Sequence, residues 1–222
     1  MSIKENIVSI KKNIEDIEKK CNRQDKVNLM AVTKTVDVDK VLEAIDAGIT
    51  DIGENKPQEL ARKYEAIGDK VRYHLIGTLQ TNKVKYIIDK AYMIHSLDRI
   101  ALCEEIQKRA EKIDKVINCL VQVNISKEES KHGFEVEEID EVFNSLKDYP
   151  HVKVRGLMMM APHIESSETE RYFKMTQELL QRLQKDYPMY QLDQLSMGMS
   201  NDYHEALKHG STMIRIGSAL FK

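Results

Sequence analysis

Lys34 stands where a side chain could do chemistry. It closes a run of apolar or small residues, Leu29 to Val32, followed by Thr33. At the mouth of a barrel such a lysine would be desolvated, and desolvation favours the neutral amine. A neutral amine is nucleophilic and can form a Schiff base with an aldehyde. The alternative is a strand-end lysine whose charge snorkels to water. A second signal is the segment SMGMSNDYHEALKHG, which begins at Ser196. Gly198 and Ser200 lie there between a strand pattern and a helix expected to start near Asn201. Free backbone N–H groups at that helix start suit a phosphate; Ser200 either caps the helix or bonds the anion. A third signal is RIGSA, in which Gly217 lets a backbone come close to a ligand and Ser218 adds a hydroxyl. Neither cluster is a GxGxxG or Walker pattern, so nothing points to a nucleotide fold. Arg215 lies two residues before Gly217 and shares its strand face. A guanidinium turned inward needs an acceptor, either a structural carboxylate or a ring nitrogen of a ligand.

The elements that must position these residues follow from hydrophobic periodicity. Ile3, Ile7, Ile10, Ile14 and Ile17 recur at three- and four-residue steps and predict an N-terminal helix. Beyond Asn28 short apolar runs alternate with longer amphipathic stretches. The runs end near Lys34, Asn55, Gly77, Asp98, Ile125, Met160, Met199 and Gly217, the first four about 21 residues apart. Helical patterns cover Val38 to Ala47 (with Gly48 as a C-cap signal), Pro57 to Ala66, Asn82 to Asp89, Arg99 to Lys112, Val136 to Leu146, Glu168 to Lys185 and Asp202 to Lys208. Strict alternation means βαβ units and a parallel sheet. Eight units in 222 residues fit an α/β fold, a single closed (β/α)8 barrel of TIM type with an additional N-terminal helix. A doubly wound open sheet, the alternative, usually holds fewer strands. The last strand ends at the C-terminus with no helix after it, a gap that the N-terminal helix could cover. No linker or repeat interrupts the chain, so residues 1–222 read as one domain.

In such barrels the active site lies at the C-terminal ends of the strands. The polar residues there are Thr33, Lys34 and Thr35; Glu54 and Asn55; His74, Gly77 and Thr78; His95, Ser96 and Asp98; Asn124 and Ser126; Ser196, Gly198 and Ser200; and Arg215, Gly217 and Ser218. Both Gly/Ser clusters fall on the loops after strands 7 and 8, the usual phosphate site of these barrels. Other features read as structural. Met158 to Met160 suit a core layer, His163, His204 and His209 lack metal spacing, and Lys83 with Lys85 read as solvated charge at a helix start. The segment SKEESKHGF reads as a flexible loop, with a lid as the sharper alternative.

Composition narrows the class. Apolar residues make up 41% and charged residues 32%, which excludes disorder. A chain of this size buries roughly 70% of its unfolded surface and needs no staple. Lys plus Arg is 34 and Asp plus Glu 36, a net charge of -2, so no global field draws the protein to nucleic acid or to an anionic membrane. Three cysteines without CxxC spacing argue for a reducing compartment and against zinc. The N-terminus has no signal-peptide core, and no apolar stretch approaches the roughly 20 residues of a membrane span. A cytoplasmic protein is expected.

The ordered segments AVTKTV, AGITDIGENKPQEL, HLIGTLQTNKVK, IHSLDR, VQVNISKEESKHGF, RGLMMMAP and LSMGMSNDYHEALKHGSTMIRIGSALF, from Leu29 to Phe221, resemble the YggS/PROSC-type pyridoxal-phosphate homeostasis proteins, the alanine racemase N-terminal-like group. The resemblance implies a barrel that binds pyridoxal 5′-phosphate as a covalent aldimine to Lys34. It implies a phosphate cradle from Ser200, the backbone around Met199, Gly217 and Ser218. It places Arg215 at the pyridine nitrogen and Asn55 along the cofactor, and Ser196 joins the cofactor-binding set. Lys56–Pro57 replaces a bulkier pair, which a helix first turn tolerates, and Ser218 stands where Thr or Ala is common. An arginine only donates, so it disfavours a proton on the ring nitrogen and weakens the ring as an electron sink. Related racemases add a second, β-rich domain that supplies a tyrosine base. With only Lys222 after Phe221, this chain is expected to lack it. No catalytic residue and no metal site are therefore assigned. The expected role is that of a monomeric carrier without catalysis: buffering pyridoxal phosphate, handing it to apoenzymes as transient acceptors, and affecting amino-acid and keto-acid balance. A weak amino-acid racemase is the alternative reading.

Overall fold

The computed structural model describes residues 2–128, 132–162 and 164–222. Eight parallel strands close into a barrel in sequence order: β1 (Asn28–Val32), β2 (Asp51–Glu54), β3 (Arg72–Leu75), β4 (Met93–Leu97), β5 (Ile117–Gln122), β6 (Val152–Met158), β7 (Gln194–Met199) and β8 (Met213–Ile216). The seam pairs β1 with β8, from Asn28 opposite Met213 to Ala31 opposite Ile216. Strands 1, 7 and 8 are therefore neighbours, as a closed barrel requires.

The outer ring consists of α1 (Ile3–Lys20), α2 (Val38–Asp46), α3 (Pro57–Ile67), α4 (Ile100–Glu111), α5 (Ile139–Ser145), α6 (Ser166–Asp186), α7 (Tyr203–Lys208) and α8 (Ser218–Phe221). α1 begins with a capping box, Ser2 bonding Glu5 reciprocally. It buries Ile3, Ile7, Ile10 and Ile14, each contributing roughly 1.5–3 kcal/mol. The same face carries Asn6, whose Nδ2 donates to the carbonyls of Leu220 at 3.1 Å and Lys222 at 3.0 Å. α1 thus ties down the C-terminus, as the sequence suggested, but the gap after β8 is not bare, because the single turn α8 fills part of it.

A second departure lies between β3 and β4. The helix expected over 82–89 is a 3₁₀ segment, Thr81–Tyr86. Val84 and Ile87 are both buried, and their three-residue spacing matches the 3₁₀ period. The pattern at 136–146 also opens as a 3₁₀ turn before α5. Residues 129–131 of the SKEESKHGF segment, and with them the lid reading, lie outside the described residues, as does His163.

The core has two parts. One fills the space between sheet and helices. The other lies inside the barrel, where Met30, Met93, Leu120, Met158 and Met213 pack together. Unbranched methionines can fill the irregular space of a barrel interior.

Candidate functional site

At the C-terminal ends of the strands the barrel opens into a cavity of about 930 Å³. β1 ends at Val32, and the turn after it carries Lys34 into the cavity wall. Lys34 is exposed there, so the expected desolvation of this amine is corrected: the turn lifts it clear of the strand. β2 ends at Glu54 and delivers Asn55 to the same wall. Asn55 stands against Gly77, where a Cβ would lie 2.3 Å from the Asn55 carbonyl oxygen. Only glycine permits that approach.

β7 and β8, which follow β1 round the barrel seam, supply the adjoining side. Met199, Ser200, Asn201 and Asp202 line it with Gly217 and Ser218. Among the described residues, the N–H groups of Ser200, Asn201, Gly217 and Ser218 find no backbone acceptor. Four unspent donors on two adjoining turns make a lining suited to an anion. Ser200 is not the helix cap. That place is taken by Asp202, and α7 starts at Tyr203. The Asp202 carboxylate accepts the Met199 N–H at 2.6 Å, so this amide is engaged within the protein. Burial raises the Asp202 pKa, against the hydrogen bond from Met199 and the charge of Arg215.

Arg215 reaches the cavity from inside the barrel, with 4% of its surface exposed. Its Nη1 donates to Ser196 Oγ at 2.7 Å and its Nη2 to the Met159 carbonyl at 2.9 Å. Its protein acceptors are thus a hydroxyl and a carbonyl, not the structural carboxylate that sequence left open. Burial lowers its pKa to about 10. Ser196 does not line the cavity; it sits beneath, between Arg215 and His95.

Thr35, Thr78 and Asn124 also line the cavity, as strand-end position suggested. Thr33, Glu54, His74, His95 and Ser96 do not; all are buried in or behind the sheet. Met160 corrects the reading of the methionine run as core, since it is 43% exposed and lines the mouth. Asp202 and His132 were missed. Position past a strand end signals the first, but only the fold brings in the second. Among the described residues no cluster of three or more His, Cys, Asp and Glu could hold a metal, and no helix is long and apolar enough to cross a membrane.

These features define a (β/α)8 barrel with a cavity at its C-terminal mouth, lined in part by an amine, two donor-rich turns and a buried guanidinium. Residues 6–222 match the family model described as alanine racemase, N-terminal domain, and the chain belongs to that family. It is 44% identical over 214 residues to a pyridoxal phosphate homeostasis protein of Aquifex aeolicus, covering 94% of this chain and 93% of that one. A protein of the same name from Haemophilus influenzae is 38% identical, covering 100% and 95%. The structure of PipY from Synechococcus elongatus with pyridoxal phosphate bound superposes with a TM-score of 0.88 at 30% identity, covering both chains fully.

Proposed function

We propose that this barrel, as one domain over residues 1–222, binds pyridoxal 5′-phosphate and serves its homeostasis by buffering and delivery. The observation that carries the reading is the convergence in one cavity of the Lys34 amine, the free N–H groups around Ser200 and Ser218, and an inward guanidinium with no carboxylate among its hydrogen-bond partners. The cofactor has three matching ends: an aldehyde, a phosphate and a ring nitrogen. When bound it supplies an electrophilic carbonyl, and the Lys34 amine holds it as an aldimine with loss of one water. Ser200, Gly217 and Ser218 hold the phosphate; Met199 contributes its wall rather than its N–H, which Asp202 occupies. Asn55 flanks the cofactor. Ser196 acts through Arg215.

The reading is supported by relatives named for homeostasis and by the cofactor-bound PipY structure. Arg215 favours a carrier over a catalyst, because a donor opposite the ring nitrogen disfavours its protonation and limits carbanion stabilisation. The protein would act as a cytoplasmic monomer, with apoenzymes that use the same cofactor as transient acceptors. The test is the absorbance of the purified protein with pyridoxal phosphate before and after borohydride reduction, followed by peptide mapping. A visible band that disappears in Lys34→Ala, with reduced label on Lys34, is expected; a band that survives the substitution overturns the assignment. Exchange of an amino acid's Cα proton for solvent deuterium would overturn the non-catalytic role.

A further inference from the structure

A continuous line of buried polar groups runs through the barrel beneath the cavity. Asp51 Oδ1 meets His74 Nε2 at 2.7 Å. His74 Nδ1 meets His95 Nε2 at 2.9 Å. His95 Nδ1 meets Ser196 Oγ at 3.0 Å, and Arg215 Nη1 donates to that oxygen at 2.7 Å. Five residues from β2, β3, β4, β7 and β8 are joined, and all five are buried. At the far end the Asp51 carboxylate also accepts from Arg72 Nη2 and Thr50 Oγ1, each at 2.7 Å.

The donor inventory fixes the direction of every bond while both imidazoles are neutral. An ionised carboxylate only accepts, so His74 carries its proton on Nε2. Its Nδ1 is then an acceptor, and His95 must donate from Nε2. His95 Nδ1 is left as an acceptor, so the Ser196 hydroxyl donates to it. The Ser196 oxygen is then free to accept from Arg215, which can only donate. All the donors point from the cavity towards Asp51. A proton added to the dyad would turn one imidazole into a double donor and reverse part of the line.

We propose that Ser196, His95, His74 and Asp51 form a positioning relay that presents Arg215 to the cavity as a fixed hydrogen-bond donor and so governs how the ring nitrogen of a bound pyridine is met. This rests on the cofactor reading above. The groups facing the dyad are Asp51 from β2, Arg72 from β3, the Tyr92 ring at 5.3 Å from His74, and Arg215 from β8 with Asp202 beyond it. Burial lowers the pKa of both histidines, His95 well below the ordinary value, with the neighbouring His74 and Arg215 adding to the effect on His95. The neutral line therefore persists at neutral pH.

Two measurements test the relay. Imidazole ¹⁵N NMR of the wild-type protein without cofactor should show both His74 and His95 as neutral Nε2–H tautomers from about pH 6 to about pH 8. An Nδ1–H tautomer at either ring, or titration near the ordinary histidine value, overturns the relay. In the second, the protein is loaded with pyridoxal phosphate and its absorbance is titrated. Ser196→Ala removes the hydroxyl that joins Arg215 to His95 and should move the pH midpoint of the bound chromophore by about one unit or more. Ser196→Thr keeps the hydroxyl and should restore the wild-type midpoint. A midpoint unmoved in Ser196→Ala overturns the relay even if melting temperature falls. The imidazole signals are read without cofactor, so failure of the relay and failure of the cofactor reading register in different experiments.

Discussion

Gly77 shows how narrowly single residues set this cavity. Its neighbour Asn55 is held by backbone proximity rather than by any side chain of Gly77, which has none to offer. A Cβ at position 77 would sit 2.3 Å from the Asn55 carbonyl oxygen and 2.8 Å from its Cα. Backbone cannot rotate away as a side-chain tip could. Gly77→Ala should therefore cost about 1–3 kcal/mol, the range of overpacking, and weaken uptake of pyridoxal phosphate by displacing Asn55. Urea denaturation and a cofactor titration on the same variant check both; wild-type values in the two would show that the backbone yields freely. Lys34 makes a complementary point. Its place at a strand end is written in the apolar run before it, but its exposure is set by the turn that follows, which has no periodic signature.

At the scale of elements, α3 pins the ends of β1 and β2. Lys63 on the inner face of α3 donates to the Thr33 carbonyl and to Glu54 Oε1, both at 2.5 Å, and Thr33 Oγ1 donates to the same carboxylate oxygen at 2.5 Å. Lys63 and Glu54 are 1% exposed. Thr33 and Glu54 are the residues immediately before Lys34 and Asn55, so one dry ion pair holds both approaches to the cavity. Lys63→Ala would strand the Glu54 charge in the core, a change worth about 3–5 kcal/mol, and should lower the thermal midpoint sharply. A loss below about 1 kcal/mol in urea titration would show that Glu54 finds water or another partner. This pair also explains what the sequence conceals. Glu54 reads as a site residue because it ends a strand, yet in β2 the inward phase belongs to Asp51 and Gly53, and Glu54 points with Ile52 towards the helix. Nothing in the sequence marks Lys63 as buried, because lysine in an amphipathic helix is usually solvated. The eight strands were legible because hydrophobic runs separated by helix-length stretches recur along the chain. The 3₁₀ segment Thr81–Tyr86 was not, because its short run of polar and apolar residues also fits an α-helical turn.

Across the whole molecule, the buried polar line makes stability depend on pH. The folded chain resists protonating His74 and His95, because burial disfavours their charged forms. The unfolded chain takes those protons up near pH 6.5, the ordinary histidine value. Below that pH the unfolded state binds more protons, so stability falls as pH falls, by up to about 1.4 kcal/mol per pH unit for each histidine until its folded pKa is reached. Asp51 acts in the same direction at lower pH. Burial alone would raise its pKa, but the hydrogen bonds from His74 and Arg72 outweigh that and hold it well below the usual carboxylate range. Its contribution is complete above about pH 4 and is lost below it as the unfolded carboxyl protonates. Thermal melts should therefore give a midpoint that is level from about pH 8 to about pH 7, declines below about 6.5, and drops again near 4. Proton uptake on unfolding, measured at pH 6 by calorimetry in two buffers of different ionisation enthalpy, should be positive. A midpoint unchanged between pH 7.5 and pH 5, with no uptake, would mean that the folded dyad takes up its protons over the same pH range as the unfolded chain, and burial would not then be keeping the line from Arg215 to Asp51 neutral.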